Sequence, residues 1–512
     1  MARRDKPTTR GGPPALARAR VLWREHRHDE ALRAFSEAIR LAPNDFATLL
    51  EASRAFGARY QVDRAAGLVE RALRLGARRG DVLLAAGETY LALGRTSQAE
   101  ACFRRACRLA ADPRAQLELA KIYERRHALD EAGELIDTAL RGAPHLLPAL
   151  VLRARIERRR GETGKAYATL RQAIASATPA GGELPEVYGE LCTLLDALGQ
   201  YDAAWDAMLQ GKRLQQAHES AAWTAAQFVM RRCSQMYDEL TADHFARWAS
   251  ADLGEPRRLA LLTGFPRSGT TLLEQVLDAH PGVVSSEEKE VFGADVLPLL
   301  GEGRAPDAPL AQLLDDLTPD RIATARQAYL DAMQAMLGEP IGPRLHVDKN
   351  PAMIPMIPAM RRVFPELKLL VALRDPRDVA VSCFLRWLPV NPMSVWFLTL
   401  ERTVDRYVMD LEGWLRVREL LGGWTEIRYE ELVGDLPGQA KRTLDALEIP
   451  WDDAVLDYRQ RSRARPVQSP TYEAVARPVF SSSIGRWRRY ERQLAPLLDR
   501  LAPVIKALGY DA

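Results

Sequence analysis

Residues 259–280 read LALLTGFPRSGTTLLEQVLDAH. The apolar run Leu259–Phe265 predicts a buried strand. GFPRSGTT (Gly264–Thr271) follows as a glycine loop, and Leu272, Leu273, Val276 and Leu277 then share one face of a helix. A glycine loop between strand and helix turns backbone N–H groups and a helix N-terminus towards an anion. The spacing Gly264-x4-Gly269-Thr270-Thr271 matches the phosphate loop GxxxxGK[ST] except at Thr270, where triphosphate-handling proteins carry a lysine. That difference argues against triphosphate chemistry. Arg267, inside the loop, can supply a positive charge instead.

Downstream, Leu367–Leu373 predicts a second buried strand leading into Arg374, with Ser382 and Arg386 on a following helix. Ligands of open α/β sheets bind beyond the strand C-termini, which makes Arg374 a candidate contact. Arg344–Val347 is a strand-like run just before Lys349, and Ile427–Leu432 (IRYEEL) holds a third plausible strand edge with Tyr429 near its end. Glu287, Glu288 and Glu290 crowd an acidic turn after His280-Pro281.

The N-terminal half is periodic. The triplet Ala31, Phe35, Ala38 recurs as Ala65, Val69, Ala72, then Ala99, Phe103, Ala106, then Ala132, Ile136, Ala139, then Ala166, Leu170, Ala173. A looser copy stands at Ala204, Met208, Gly211. Small residues let antiparallel helices approach, and the large residue fills the groove between them. Gly94 and Gly161 fall at turns, and Pro43 and Pro144 fall where a second helix must stop. This array resembles the tetratricopeptide repeat, whose concave superhelix binds peptides or proteins. Residues 212–257 lack the repeat and read as a helical bridge, with Trp223, Ala226 and Met230 at core spacing.

Of the 512 residues, 47% are hydrophobic and 27% charged, and the net charge of +3 gives no global argument for nucleic acid or an anionic membrane. Five cysteines without a CxxC pair suit a reduced compartment. The eight histidines show no metal-ligand spacing, so no metal is expected. The basic, Pro/Gly-rich start MARRDKPTTRGGPP lacks the apolar region of a leader, and no segment has the length of a membrane span. The expectation is a cytoplasmic protein without a membrane span.

PRSGTTLLEQVLDAHP with Glu288 beyond it resembles the 5′-phosphosulfate loop of sulfotransferases. LKLLVALRDPRDVAVSCF resembles their 3′-phosphate segment, and RPVFSSSIGRWRRY (Arg477–Tyr490) their nucleotide-closing segment. With the repeats, the chain resembles tetratricopeptide-repeat sulfotransferases and the tyrosylprotein sulfotransferase family. The resemblance implies a helical-repeat array followed by an α/β P-loop-like domain with a mainly parallel sheet. The boundaries expected are a basic tail at 1–11, repeats at 12–211, the bridge at 212–257 and the transferase domain at 258–512. It implies 3′-phosphoadenosine-5′-phosphosulfate as donor, held by Arg267, Ser268, Gly269, Thr270 and Thr271 at the 5′ end. Arg374, Ser382 and Arg386 would hold the 3′ end, with Tyr429 and Arg477 also at the nucleotide. Glu288 would be the base, and Lys349 and Arg267 would stabilise the transition state. Arg477 stands where the family carries a lysine, and Ser462, Ser469 and Thr471 compete for a further stabilising role. The acceptor is a hydroxyl on a protein tyrosine, a sugar or a small phenol, and the repeats would take a protein or peptide partner.

Two other classes remain open. A P-loop kinase or NTPase predicts a loop lysine, against which Thr270 speaks. A non-catalytic nucleotide-binding scaffold predicts loss of the base or the loop arginine, yet Glu288 and Arg267 are both present.

Overall fold

The computed structural model describes residues 14–25, 27–177, 182–305, 307–460, 473 and 481–511. The chain divides into two compact units, Met1–Arg153 with Gln334–Gly338, and Ala154–Met333 with Glu339–Ala512.

In the first unit, helices pair antiparallel: Pro14–Arg24 with His28–Leu41, Phe46–Ala58 with Val62–Leu75, Gly80–Ala92 with Thr96–Leu109, and Pro113–Arg125 with Leu129–Gly142. The repeating small-large-small triplets are buried throughout. Gly87 shows why small residues are needed, because a Cβ there would come within 2.4 Å of the Phe103 ring. Three of the paired helices turn on a left-handed residue: Tyr60 at φ 63°, Gly94 at φ 72° and His127 at φ 64°. That conformation closes a helix C-terminus. His28–Leu41 and Leu129–Gly142 stop ahead of Pro43 and Pro144.

The second unit begins with helices. Thr163–Ser176 buries Ala166, Leu170 and Ala173. Leu184–Ala197 and Tyr201–Gln216 form a tight pair, with Ala204 and Met208 inside it. Ser220–Glu239 buries Ala226 and Met230, while Trp223 stands edge-on to Trp396 at 4.8 Å.

A parallel sheet follows, built from β1 (Leu259–Gly264), β2 (Val283–Glu287), β3 (Leu345–Lys349), β4 (Lys368–Leu373) and β5 (Thr425–Arg428), in the order β2-β3-β1-β4-β5. All six residues of β1 are buried, as expected for a central parallel strand covered on both faces. On one face, Leu273, Val276 and Leu277 of helix Thr270–Asp278 join Ala260, Leu262, Val347, Leu370 and Ile427 in a single core. On the other, Tyr329 of helix Pro319–Leu337 bonds Asp348 of β3, and Tyr407 of helix Leu400–Arg418 meets Phe265 edge-on at 4.9 Å.

Three local expectations change. Glu287, read as part of an acidic turn, ends the edge strand Val283–Glu287, which pairs in register with Leu345–Lys349. β5 ends at Arg428, so Tyr429 opens the short helix Tyr429–Gly434 instead of finishing a strand. Arg386 lies beyond the end of helix Pro376–Phe384, which Leu385 caps, whereas Ser382 is within it.

Candidate functional site

The loop after β1 is shaped by backbone that only small or strained residues allow. Gly264 has φ 148°, and a Cβ there would meet the Ala372 carbonyl oxygen at 2.4 Å. Gly269 has φ 96° and packs so closely on Tyr429 that a Cβ would lie 2.6 Å from its ring. Arg267 adopts φ 75°, uncommon for a residue with a side chain. Gly269 caps helix Thr270–Asp278 without a side-chain hydrogen bond, so the first-turn N–H groups lack a competing side-chain acceptor at that cap. Ser268, Thr270 and Thr271 are buried in the same turn.

Guanidinium groups gather at this helix end. Arg267 donates from Nε to Ser382 Oγ at 3.2 Å. Burial lowers its pKa to about 10, with Arg386, Arg374 and Arg486 adding repulsion. Clustered cations raise one another's energy, a cost that an anion among them would relieve. Arg374, at the end of β4, donates to the Arg267 carbonyl at 3.1 Å and to that of Ser483, and lies 4.6 Å over the Tyr429 ring. Its Nε is buried without a protein acceptor. Asp378 lies 3.5 Å from Arg374 and accepts the N–H groups of Gly485 and Trp487, each at 2.8 Å. The 481–490 segment is thereby fixed to the helix that carries Ser382. Arg477 and the competing Ser462, Ser469 and Thr471 lie outside the described residues.

The second half of the site stands at the ends of β2 and β3. Pairing sets Lys349 opposite Leu262 on β1 and opposite Glu287 on β2. Lys349 is fully buried, and its Nζ donates to Glu288 Oε1 at 2.7 Å. Glu288 leaves the strand at φ 38°, its N–H held by the Lys349 carbonyl at 2.8 Å. Lys349 therefore pairs with Glu288. A residue not foreseen completes the group: Glu274 Oε2, fully buried, is 3.2 Å from the same ammonium. Its other oxygen accepts from Ser285 Oγ at 3.1 Å. Burial pushes the Glu274 carboxyl up, against the opposing pull of Lys349. Burial also acts to lower Lys349, but the carboxylates of Glu274 and Glu288 outweigh it, and its pKa is raised.

The carboxyl edge of one parallel sheet thus brings together Arg267, Ser268, Gly269, Thr270, Thr271, Lys349, Glu288, Arg374 and Tyr429, with Ser382 on the adjoining helix. The buried orphan Nε, the Cβ-free cradle at Gly269 and the crowded guanidiniums fit a nucleotide bearing an anion at each end of its sugar. Among the described residues, no group of His, Cys, Asp or Glu side chains could hold a metal ion. No helix there is long and apolar enough to cross a membrane.

Residues 260–453 match the model of the sulfotransferase family, and residues 80–113 match that of the tetratricopeptide repeat. The chain thus joins a stretch similar to the tetratricopeptide repeat to a region similar to the sulfotransferase family. The match to its sulfotransferase region runs from β1 past Tyr429 but stops short of the 481–490 segment. Among similar proteins, an uncharacterized protein of Aquifex aeolicus is 26% identical over 325 residues, 62% of this chain and 41% of that one. Protein-tyrosine sulfotransferase A of Caenorhabditis elegans is 27% identical over 265 residues, 48% of this chain and 66% of its own length. The alignments thus span about two-fifths and two-thirds of these relatives. The sulfotransferase domain of the Synechococcus PCC 7002 olefin synthase is 22% identical, covering 51% of this chain and 97% of that one, with a TM-score of 0.38.

Proposed function

We propose that the chain transfers a sulfuryl group from 3′-phosphoadenosine-5′-phosphosulfate to a hydroxyl acceptor. The observation that carries this is the shared carboxyl edge, where a cationic glycine loop and a carboxylate–lysine pair stand at the ends of neighbouring parallel strands. The loop N–H groups, Thr270, Thr271 and the Arg267 guanidinium hold the 5′-phosphosulfate. Arg374 and Ser382 hold the 3′-phosphate with its charge-matched donors, and Arg386 assists. Tyr429 walls the nucleotide, and Arg477 joins the closing segment.

Glu288 takes the proton of the acceptor hydroxyl, whose ordinary pKa near 10 for a phenol requires a base within hydrogen-bond reach. The acceptor oxygen bonds to sulfur as the bond between sulfur and the phosphate oxygen breaks. Adenosine 3′,5′-bisphosphate leaves. Lys349 and Arg267 offset the charge that grows on the leaving oxygen.

The name of the nematode relative makes protein tyrosine the first acceptor to try, ahead of sugar hydroxyls and small phenols. A protein or peptide partner on the repeats would select it. Five cysteines, all unpaired, support a cytoplasmic setting. The expected domain boundaries of 12–211, 212–257 and 258–512 are retained as part of the proposal.

Calorimetry with adenosine 3′,5′-bisphosphate and ATP tests the donor site. The bisphosphate should bind tightly and ATP far more weakly, and Arg374→Ala should lose most of the difference. Equal affinity for the two nucleotides, or full affinity in Arg374→Ala, would overturn the assignment.

A further inference from the structure

The helix pair Leu184–Ala197 and Tyr201–Gln216 follows the repeat pattern, yet its polar side chains are spent on the other side of the same unit. Lys212, 2% exposed, donates to the Arg386 carbonyl at 2.8 Å. One turn on, Gln215 donates from Nε2 to the Leu388 carbonyl at 2.7 Å. These two bonds pin an irregular segment that follows the Ser382 helix. Between them, Gly189 passes so near Trp387 that a Cβ would lie 2.5 Å from the tryptophan Cβ. On the second flank, Asp196 accepts from Tyr490 Oη and pairs with Arg486 at 3.0 Å. Trp205 stacks between, 4.4 Å from the Phe384 ring and 5.9 Å from that of Tyr490.

The two segments so held carry Arg386 and Arg486, two of the three cations that crowd Arg267. We propose that this helix pair is a built-in wall of the donor site, with Lys212 and Asp196 as positioning residues that aim Arg386 and Arg486 at the nucleotide's 3′-phosphate. The proposal rests on the donor reading above and adds residues that the family match, which begins at residue 260, does not include.

The chemistry of each contact fits that role. A buried ammonium is costly to keep, and Lys212 has the aromatic ring of Phe384 at 6.0 Å beside its carbonyl acceptor. Burial lowers its pKa to about 7, and either protonation state can donate to the carbonyl. Arg486 carries five donors in a fork, so Asp196 can hold one side and leave others for an anion. The pair positions the two guanidiniums through opposite means, one by its backbone and the other by its side chain.

The test compares two ligands on the full chain: adenosine 3′,5′-bisphosphate, and adenosine 5′-phosphosulfate, which lacks the 3′-phosphate. Lys212→Met and Asp196→Asn are measured separately by calorimetry. Each should weaken the bisphosphate roughly tenfold, the scale of one misaligned charge-assisted hydrogen bond. Binding of adenosine 5′-phosphosulfate should stay within about twofold, since the glycine loop is untouched. Equal losses for both ligands would reduce the pair to general scaffolding and overturn the proposal, as would unchanged binding of both. Asp196→Asn gives the answer by itself if Lys212→Met does not fold. Wild-type protein that binds both ligands equally would instead bring down the 3′-phosphate reading itself.

Discussion

Lys349 holds its ammonium between two carboxylates, 2.7 Å from Glu288 and 3.2 Å from Glu274. Glu288 is the more open of the two, with a side chain 36% exposed against 0% for Glu274. Only the exposed one can reach an acceptor, so the buried one anchors the lysine while Glu288 meets substrate. Glu288→Gln keeps the shape and loses the basicity. It should lower turnover by roughly 10²–10⁴ while leaving bisphosphate affinity within a few-fold, as for a group that acts in the transition state. Glu287→Ala, at the strand end, should be mild. Steady-state rates on folded protein with a working acceptor decide this; an active Glu288→Gln would remove the base from this position. Glu288 was singled out by its register in the resemblance to sulfotransferases, and the fold sets it beside Lys349. The resemblance assigns Glu274 no role, although it sits one residue after Leu273 and three before Leu277, among the buried residues of its helix. A carboxylate among such residues signals a buried cation opposite, but the helix alone does not say which strand supplies it.

Strands were legible where apolar runs are continuous, as in LALLTG, and hidden where polar residues face a covered surface. VVSSE shows no apolar alternation, yet its first four residues are buried. Ser285 bonds Glu274, and Ser286 meets His346 Nε2 at 3.0 Å. β3 carries the corresponding surprise. His346 and Asp348, two apart, share the face that meets Tyr329, whose hydroxyl donates to Asp348 at 2.7 Å. Burial pushes His346 down to about 4 and Asp348 up to about 7, the latter against the bond from Tyr329. The signs oppose. Between about 4 and the ordinary 6.5, folded His346 binds fewer protons than unfolded, so its contribution grows as pH rises. Between the ordinary 3.8 and about 7, folded Asp348 keeps a proton that the unfolded chain loses, so its contribution falls as pH rises. The two cancel over most of the shared range. Asp348→Asn removes the falling part and retains an acceptor for Tyr329. The stability of the variant relative to wild type should therefore climb with pH from 4 to 7, by about 1.4 kcal/mol per pH unit. Urea midpoints across that range measure it, and a difference that does not change with pH would mean that Asp348 is already ionised in the fold.

Across the whole chain, the period of the repeats and the division of contacts disagree. Ala166, Leu170 and Ala173 satisfy the repeat triplet, but they lie in the unit that contains the sheet. A periodic pattern records how neighbouring helices pack on each other, and it carries no sign of where an array hands its last helices to another core. Arg386 and Arg486 were legible as charge, whereas Asp196 and Lys212, which hold them, fall in the last expected repeat and at the start of the expected bridge. Two compact units predict two unfolding events. A ligand stabilises only the unit that binds it, by RT ln(1 + [L]/Kd), or about 2.7 kcal/mol at a hundredfold excess over Kd. Adenosine 3′,5′-bisphosphate should therefore raise one calorimetric transition and leave the other in place. Hydrogen exchange followed by mass spectrometry assigns them. Protection should increase in the sheet and in helices Leu184–Ala197 and Tyr201–Gln216, and should stay unchanged in the helices from Pro14 to Leu109. The decisive region is 184–216: if its exchange follows the early repeats and ignores the nucleotide, those helices are ordinary repeats, and the contacts from Lys212 and Asp196 do not couple them to the donor.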